Sequence, residues 1–304
     1  MIRAREQANH STQAARAMKR VSGPLCSGRS DVRQYLTVLA SVPLGVLVGA
    51  LLVSSSEGFT PNAIACVTPP TGMLGWWPGD VSSIDISGSG NHVQLQNGAE
   101  AGTPGKVIGA FAFDGVDDIA ETSVVLSTTG TLDLWLKPSS LDTLHGIVGT
   151  FGNSSGSDRL WITLSGSNGG PGVGPNRLVV NLGDCCVNDI DIPNPVPLEQ
   201  WTHIALTFDY IADSYTLFVN GQSITPTTVT RNAPTRALSF GGLRSTFGQS
   251  FYVDGLIDEV EVFDRVLSDE EIRAIYDAGD AGKCKSAAYI YVPLILREYS
   301  AGSQ

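Results

Sequence analysis

The sequence predicts an all-β fold of two packed antiparallel sheets, closed by one short helix near the C-terminal end. Three observations carry this. Apolar-rich or alternating runs of strand length recur at 73–77, 107–113, 132–136, 144–151, 159–164, 177–182, 201–208, 215–219, 236–241, 250–254 and 256–263, separated by turn residues such as Asn220-Gly221. No stretch before Ser268 sustains a helical period, so the βαβ alternation of a parallel sheet is missing. Gly 34 and Pro 16 in 304 residues suit short strands joined by many turns, and a sandwich of ~200–250 residues commonly folds as one domain.

At the front, residues 1–33 carry 7 basic and 2 acidic side chains, net +5, whereas 34–304 carry 12 and 28, net −16. Residues 34–53 form a charge-free apolar run of 20, long enough to cross a bilayer as a single hydrophobic helix. The basic flank places 1–33 in the cytoplasm and the remainder outside. Ala63-Ile64-Ala65 has small-x-small character but lies 12 residues past Val53, so a cleaved signal and a retained anchor both stand. Residues 54–72, rich in Ser, Pro and Thr, read as a linker. A body at −16 repels phosphate backbones and shows no basic stripe, which excludes nucleic acid; the membrane is engaged only through the N-terminal segment.

Within the body, 165–176 and 184–197 are irregular insertions, and loops on a rigid sandwich are where binding specificity sits. The final strand, 256–263, alternates with Asp258, Val260 and Val262 on one face and Ile257, Glu259, Glu261 and Phe263 on the other. The helix that follows has both ends specified. Ser268 is the N-cap, Glu271 completes a capping box, Leu267 and Ile272 form a staple, and Gly279 ends the helix. The tail, 285–304, contains YIYVPLIL, too short to span a membrane and suited to an edge strand or a sorting handle.

The strand and helix in 255–279 resemble the closing signature of the laminin G-like, concanavalin A-like domains of secreted bacterial proteins. LGWWPGD and the run to FAFDG at 74–115, GTLDLWLKPSS at 130–140 and EQWTHIALTFD at 199–209 are similar to that family's earlier strands. The resemblance spans about 66–284 and implies a jelly-roll sandwich over 73–284. It implies an extracellular recognition or adhesion module for glycans or surface proteins, without catalysis; alternatives are a surface-structural protein and a glycoside hydrolase. A hydrolase needs two carboxylates ~5–9.5 Å apart across a cleft. Glu259 and Glu261 share a face, but the strand lacks the E-x-D-x-x-E pattern and they read equally as solvent-facing charges.

The resemblance also implies a structural Ca²⁺ held by Asp85, Asn91 and Asp258, with departures at Ser89 and Val93 and further carboxylates at Asp80, Asp114, Asp117 and Asp118. Of the five cysteines, Cys26 lies on the cytoplasmic or removed side. Cys66 and Cys284 flank the resembling domain and are expected to pair, whereas Cys185 and Cys186 form a vicinal disulfide or stay reduced. Trp76, Trp77, Trp135 and Trp201 read as core, and His203 as a strand residue whose ring meets a backbone group. Trp161 and Tyr252 are the candidate ligand contacts.

Overall fold

A computed structural model describes residues 66–150, 159–170, 172–183, 187–244 and 250–286. The hydrophobic segment 34–53, Cys185, Cys186 and the YIYVPLIL tail lie outside the described residues. Among the described residues no helix is long and apolar enough to cross a membrane.

Among the described residues seventeen strands follow one another: β1 Met73–Trp77, β2 Gln94–Gln96, β3 Glu100–Pro104, β4 Gly109–Asp114, β5 Ile119–Val125, β6 Thr129–Pro138, β7 Leu144–Thr150, β8 Trp161–Ser165, β9 Arg177–Asn181, β10 Ile190–Pro193, β11 Thr202–Asp209, β12 Ser214–Val219, β13 Gln222–Thr228, β14 Ala237–Phe240, β15 Gly242–Arg244, β16 Ser250–Tyr252 and β17 Asp254–Phe263. Helix α1, Asp269–Asp277, closes the set. The first sheet runs β13-β12-β11-β6-β17-β4-β3 with β1 also on β17, the second β10-β9-β8-β7-β14-β5-β2, and β15 pairs with β16 as a separate hairpin. Every pairing between these strands is antiparallel. This is the expected two-sheet sandwich with one short C-terminal helix.

The core between the sheets is filled from alternate positions. Leu132, Leu134 and Leu136 of β6 and Ile204, Leu206 and Phe208 of β11 meet Ile162 and Leu164 of β8, Leu178 and Val180 of β9, and Phe240 of β14. Phe240 stands edge-on to Phe111 at 5.2 Å, the T-shaped arrangement that ring quadrupoles favour. Trp76, Trp77 and Trp135 are buried as expected. Trp201 precedes β11 and is only half-buried.

Two boundaries differ from the sequence reading. The insertion at 184–197 contains a strand, β10, paired along its length with β9. Residues 66–72 are docked rather than a free linker: Val67 bridges Lys283, Asp264 N donates to Gly72 O, and Arg265 Nε donates to Thr71 O.

Helix α1 is held as its sequence dictates. Glu271 N donates to Ser268 Oγ while Ser268 N donates to Glu271 Oε2, and Leu267 and Ile272 pack with Ile275 against Ala205, Phe218 and Phe263 on the outward face of the first sheet. The Arg265 guanidinium, bonded to Glu271 at 2.6 and 2.8 Å, pulls that carboxyl down to about 2.

Candidate functional site

Strand β17 sits at the centre of the first sheet, with β6 along one side and two partners in succession along the other. Asp254 to Ile257 pair with β4, and Val260 to Phe263 with β1. Where the partner changes, the register on β6 slips: Asp258 faces Trp135 but Glu261 faces Asp133, one residue too many, and Glu259 takes φ 51. This bulge corrects the alternation expected from sequence. Ile257, Val260 and Val262 enter the core together. Asp258 and Glu261 face Trp135 and Asp133 on the opposite, outward side, where Phe263 joins α1.

Glu259 and Glu261 are therefore not solvent-facing. Both are 0 % exposed, as is Asp258. They are covered by the segment that follows α1, which returns beside residues 66–67 through Val67 N to Gly282 O and Cys284 N to Val67 O. In that extended strap Lys283 and Lys285 point one way, as positions two apart must. Lys283 Nζ contacts Glu261 Oε1 and lies 3.1 Å from Glu259 Oε2; Lys285 Nζ lies 2.7 Å from both Glu259 Oε1 and Asp80 Oδ2. The Trp76 indole donates to Glu259 Oε2 at 3.1 Å. The strap is fastened by the Cys66–Cys284 disulfide, the expected pairing, across a sequence separation of 218.

Carboxyl groups outnumber ammonium groups here. Asp80, Asp133, Asp258, Glu259 and Glu261 are all buried, against the two ammonium groups of Lys283 and Lys285. Burial pushes Asp258 well above its ordinary 3.8, with the Glu259 charge adding to it, and pushes Glu261 well above 4.5 despite the opposing pull of Lys283. Burial likewise raises Asp80 against Lys285. Burial works against the Lys283 ammonium, but Glu261, Glu259 and Asp133 outweigh it and hold that group above 10.5.

A pH dependence follows. Folded Asp258 and Glu261 bind protons more tightly than the unfolded chain does, so their contribution to stability is complete below 3.8 and 4.5 and is lost as pH rises through the elevated folded values. The lysine contribution is complete below 10.5 and is lost above it. Melting temperature is expected to fall as pH rises above 4.5 and to fall again above 10.5. Differential scanning calorimetry from acid to alkaline pH checks this; a melting temperature that rises as pH is raised from 4.5 toward neutrality contradicts it.

The other expected site residues are placed as follows. Asp85 organises a turn: Oδ1 accepts Trp76 N and Ser87 N at 2.9 and 2.8 Å, and Oδ2 accepts Asn91 N at 2.9 Å. Asn91 Nδ2 donates to Leu74 O and its Oδ1 accepts Ser123 Oγ. Asp258 is engaged elsewhere, accepting Val107 N at 2.8 Å. Asp114, Asp117 and Asp118 cluster in the turn after β4, with ligand atoms within 4.8 Å of one another, and Asp118 Oδ2 accepts Asp114 N. The His203 ring meets a carboxylate, Asp133 Oδ2 at 2.8 Å, in place of the expected backbone group.

Trp161 is 7 % exposed; its indole donates to Thr150 O, Arg159 lies over its ring at 4.3 Å, and Phe251 packs edge-on. It is packed, not an open platform. Tyr252 is half-buried on the β15–β16 hairpin, paired with Gly242, and its carbonyl meets His145 Nδ1 at 2.9 Å.

Helix α1 and the strap lie against the first sheet, and the outward face of the second sheet carries an open concavity. A groove of about 600 Å³ is lined by Ile119, Glu121, Thr122, Arg236, Ala237, Leu238, Ser239 and Arg244, and its volume is in the range of small-ligand sites. Glu121 and Ser239 are cross-strand partners on β5 and β14. Arg244, from the hairpin, reaches Glu121 Oε1 and Gln96 Oε1, each at 3.3 Å. Sequence reasoning did not single out the lining residues or the two lysines. The signal for the lysines was there, in Lys-Cys-Lys around the stapled Cys284 of an otherwise acidic body.

Residues 114–273 match the family model of the concanavalin A-like lectin/glucanases superfamily. That span is more than half of the chain. The protein belongs to this superfamily. Among solved members of the fold, domain 4 of AbnA, a GH43 extracellular arabinanase from Geobacillus stearothermophilus in complex with arabinotriose, is 18% identical with a TM-score of 0.50, covering 66% of this chain and 97% of its own. The botulinum neurotoxin serotype D binding domain is 13% identical with a TM-score of 0.52, covering 68% of this chain and 51% of its own. A mutant Trypanosoma rangeli sialidase displaying trans-sialidase activity is 16% identical with a TM-score of 0.52, covering 69% and 33%. This chain thus spans about half of the neurotoxin domain and a third of the sialidase. At these identities the likeness is one of fold. No curated protein is similar to the chain at a comparable level.

Proposed function

We propose that the sandwich is a non-catalytic, extracellular carbohydrate-recognition module that takes its glycan in the groove on the outward face of the second sheet. The observation that carries this reading is the groove itself, with polar groups of β5, β14 and the β15–β16 hairpin converging on one open concavity. The arabinotriose bound by a structural neighbour and the superfamily's lectins support the ligand class. The disulfide supports an oxidising, exported location, with 1–33, 34–53 and 54–65 as leader or anchor and connector. Non-catalysis is supported by the fate of the candidate acid pair: Glu259 and Glu261 are 0 % exposed beneath two lysines and offer a substrate no access. Trp161 and Tyr252 act on this reading through the hairpin, Phe251 packing on Trp161 and Tyr252 pairing with Gly242 on the strand that carries Arg244.

Calcium is proposed as dispensable for binding, because Asp85 already accepts three backbone N–H groups and Asp258 has Lys285 nearby as its positive charge. A glycan array run with Ca²⁺ and with EDTA is expected to show binding to one sugar class under both conditions. Ala237→Trp, which fills the groove from its half-exposed wall, is expected to weaken that binding at least ~10-fold, about 1.4 kcal/mol, without lowering the melting temperature. An array with no binder would remove the reading and favour a surface-structural role. Binding that disappears with EDTA would restore the calcium site.

A further inference from the structure

We propose that the strap becomes covalently joined to the sandwich beneath it: Lys285 Nζ and the side-chain carboxyl of Asp80 condense to an amide, with Glu259 as the base and loss of one water. This is independent of the glycan-binding reading. The three groups are already in contact. Lys285 Nζ lies 2.7 Å from Asp80 Oδ2 and 2.7 Å from Glu259 Oε1, and the lysine, aspartate and glutamate side chains are 3 %, 3 % and 0 % exposed. A buried lysine between two carboxyls has one in place to be attacked and another to take its proton. What each carboxyl's second oxygen meets assigns the roles. Glu259 Oε2 meets the Trp76 indole N–H and the Lys283 ammonium, each at 3.1 Å, contacts that complement an anion rather than an acyl group under attack. Asp80 Oδ1 instead accepts a neutral backbone donor, Gly109 N at 3.2 Å, placed to stabilise the charge that builds on that oxygen when Cγ is attacked. Burial also raises Asp80, which favours the neutral acid an amine can attack.

The step balances without a further reagent. Burial works against the Lys285 ammonium, but Glu259 and Asp80 outweigh it, so its proton has to pass directly to a carboxylate in contact. Glu259 Oε1 takes that proton. The freed amine attacks Cγ of the Asp80 acid, the C–N bond forms, and the carbonyl electron pair moves onto Oδ1 toward Gly109 N. Collapse breaks the Cγ–Oδ2 bond, and that oxygen leaves as water, carrying its own proton and a second one shed by the nitrogen. One ammonium and one carboxylate disappear together, so the net charge of the cluster is unchanged, and Lys283 keeps its ion pair with Glu261. A neutral amide in place of a buried ion pair removes the cost of holding two charges out of water, which drives the reaction forward. Both partners are fixed before they react. Gly102 N donates to Gly79 O at 2.8 Å, and a Cβ at Gly109 would fall 2.5 Å from Asp80 O, so β3 and β4 hold the loop that carries Asp80. Lys285 follows Cys284, whose N donates to Val67 O and whose disulfide ties the strap to Cys66. Groups held in contact this way react as one molecule rather than two.

The test is mass spectrometry of the full chain, purified under oxidising conditions and then reduced and denatured. The chain is expected to weigh one water less than its sequence counted from the observed N-terminus. Proteolytic mapping is expected to find the peptide holding Lys285 joined to the one holding Asp80. Lys285→Arg and Glu259→Gln should each restore the full mass, the second with both joined residues still present, and a thermal melt shows whether each variant is folded. Where a variant does not fold, the map of the unsubstituted chain still decides whether the amide exists. A chain at full sequence mass would overturn the proposal, as would a lost water without joined peptides. A link made by Lys283, or by Lys285 to Glu259, would overturn the assignment of Asp80 as the acyl partner. A folded Glu259→Gln chain that still carries the Asp80 link would overturn the role of Glu259 as base.

Discussion

Lys283→Met is expected to destabilise the domain by about 3–5 kcal/mol, the cost of removing one partner from a buried ion pair. Lys283 is 2 % exposed, and the two carboxylates its ammonium serves are 0 % exposed. Methionine fills similar volume, so the loss is electrostatic rather than a cavity. It leaves Glu261 without its cation and Glu259 with Lys285 and the Trp76 indole alone. For a domain of this size that corresponds to a fall in melting temperature of roughly 10 °C. The loss should shrink at low pH, where Glu261 takes up a proton and no longer needs the ammonium, and Glu261→Gln in the same chain should restore part of it. Thermal melts of the single and double variants at two pH values decide the matter. A loss below about 1 kcal/mol would mean that water reaches the cluster and screens it.

Reduction of Cys66–Cys284, or its removal by Cys66→Ala with Cys284→Ala, is expected to cost roughly 5 kcal/mol on the chain-entropy model, since the bond closes a loop of 218 residues. In this fold the bond does more than shorten the unfolded chain. Cys284 lies between the two lysines, so the disulfide fixes the strap that carries both ammoniums to their carboxylates. The two perturbations should therefore be non-additive. In the chain without the disulfide, Lys283→Met should cost less than in the oxidised one, because a loosened strap no longer delivers full charge neutralisation. Urea unfolding of the four members of this cycle measures the coupling. Strict additivity would show that Val67 and the backbone pairing hold the strap without help.

Much of this architecture is written in local signals. Helix α1 was legible to the residue, because Ser268, Glu271, Leu267 and Ile272 act within one turn and Gly279 with φ 53 ends it. The inner strands β6, β7, β8, β9, β11 and β12 were legible because burial on the core side enforces alternation. The strands at the sheet ends were not, and neither was the inner strand β5, whose residues 119–125 lie outside the strand-like runs. β13 and β3 close one sheet and β10 and β2 the other, and all four fell outside the strand-like runs. An edge strand buries less and carries polar residues, Pro193 in β10 and Pro226 in β13 among them, so its period is weak.

The sequence by itself therefore determined the fold class, the superfamily, the helix and the pairing of Cys66 with Cys284. Only the tertiary structure decided which side of β17 each acidic residue takes. The bulge at Glu259 arises where β17 exchanges β4 for β1, a condition set by strands more than 140 residues away in sequence, and no local pattern encodes it. The same holds for the groove. Glu121, Ser239 and Arg244 belong to three strands, β5, β14 and β15, and meet because antiparallel pairing and the hairpin fold set them side by side. Capping, staple and alternation act within a few residues and survive in the sequence, whereas charge neutralisation and concavity are properties of surfaces assembled from distant segments.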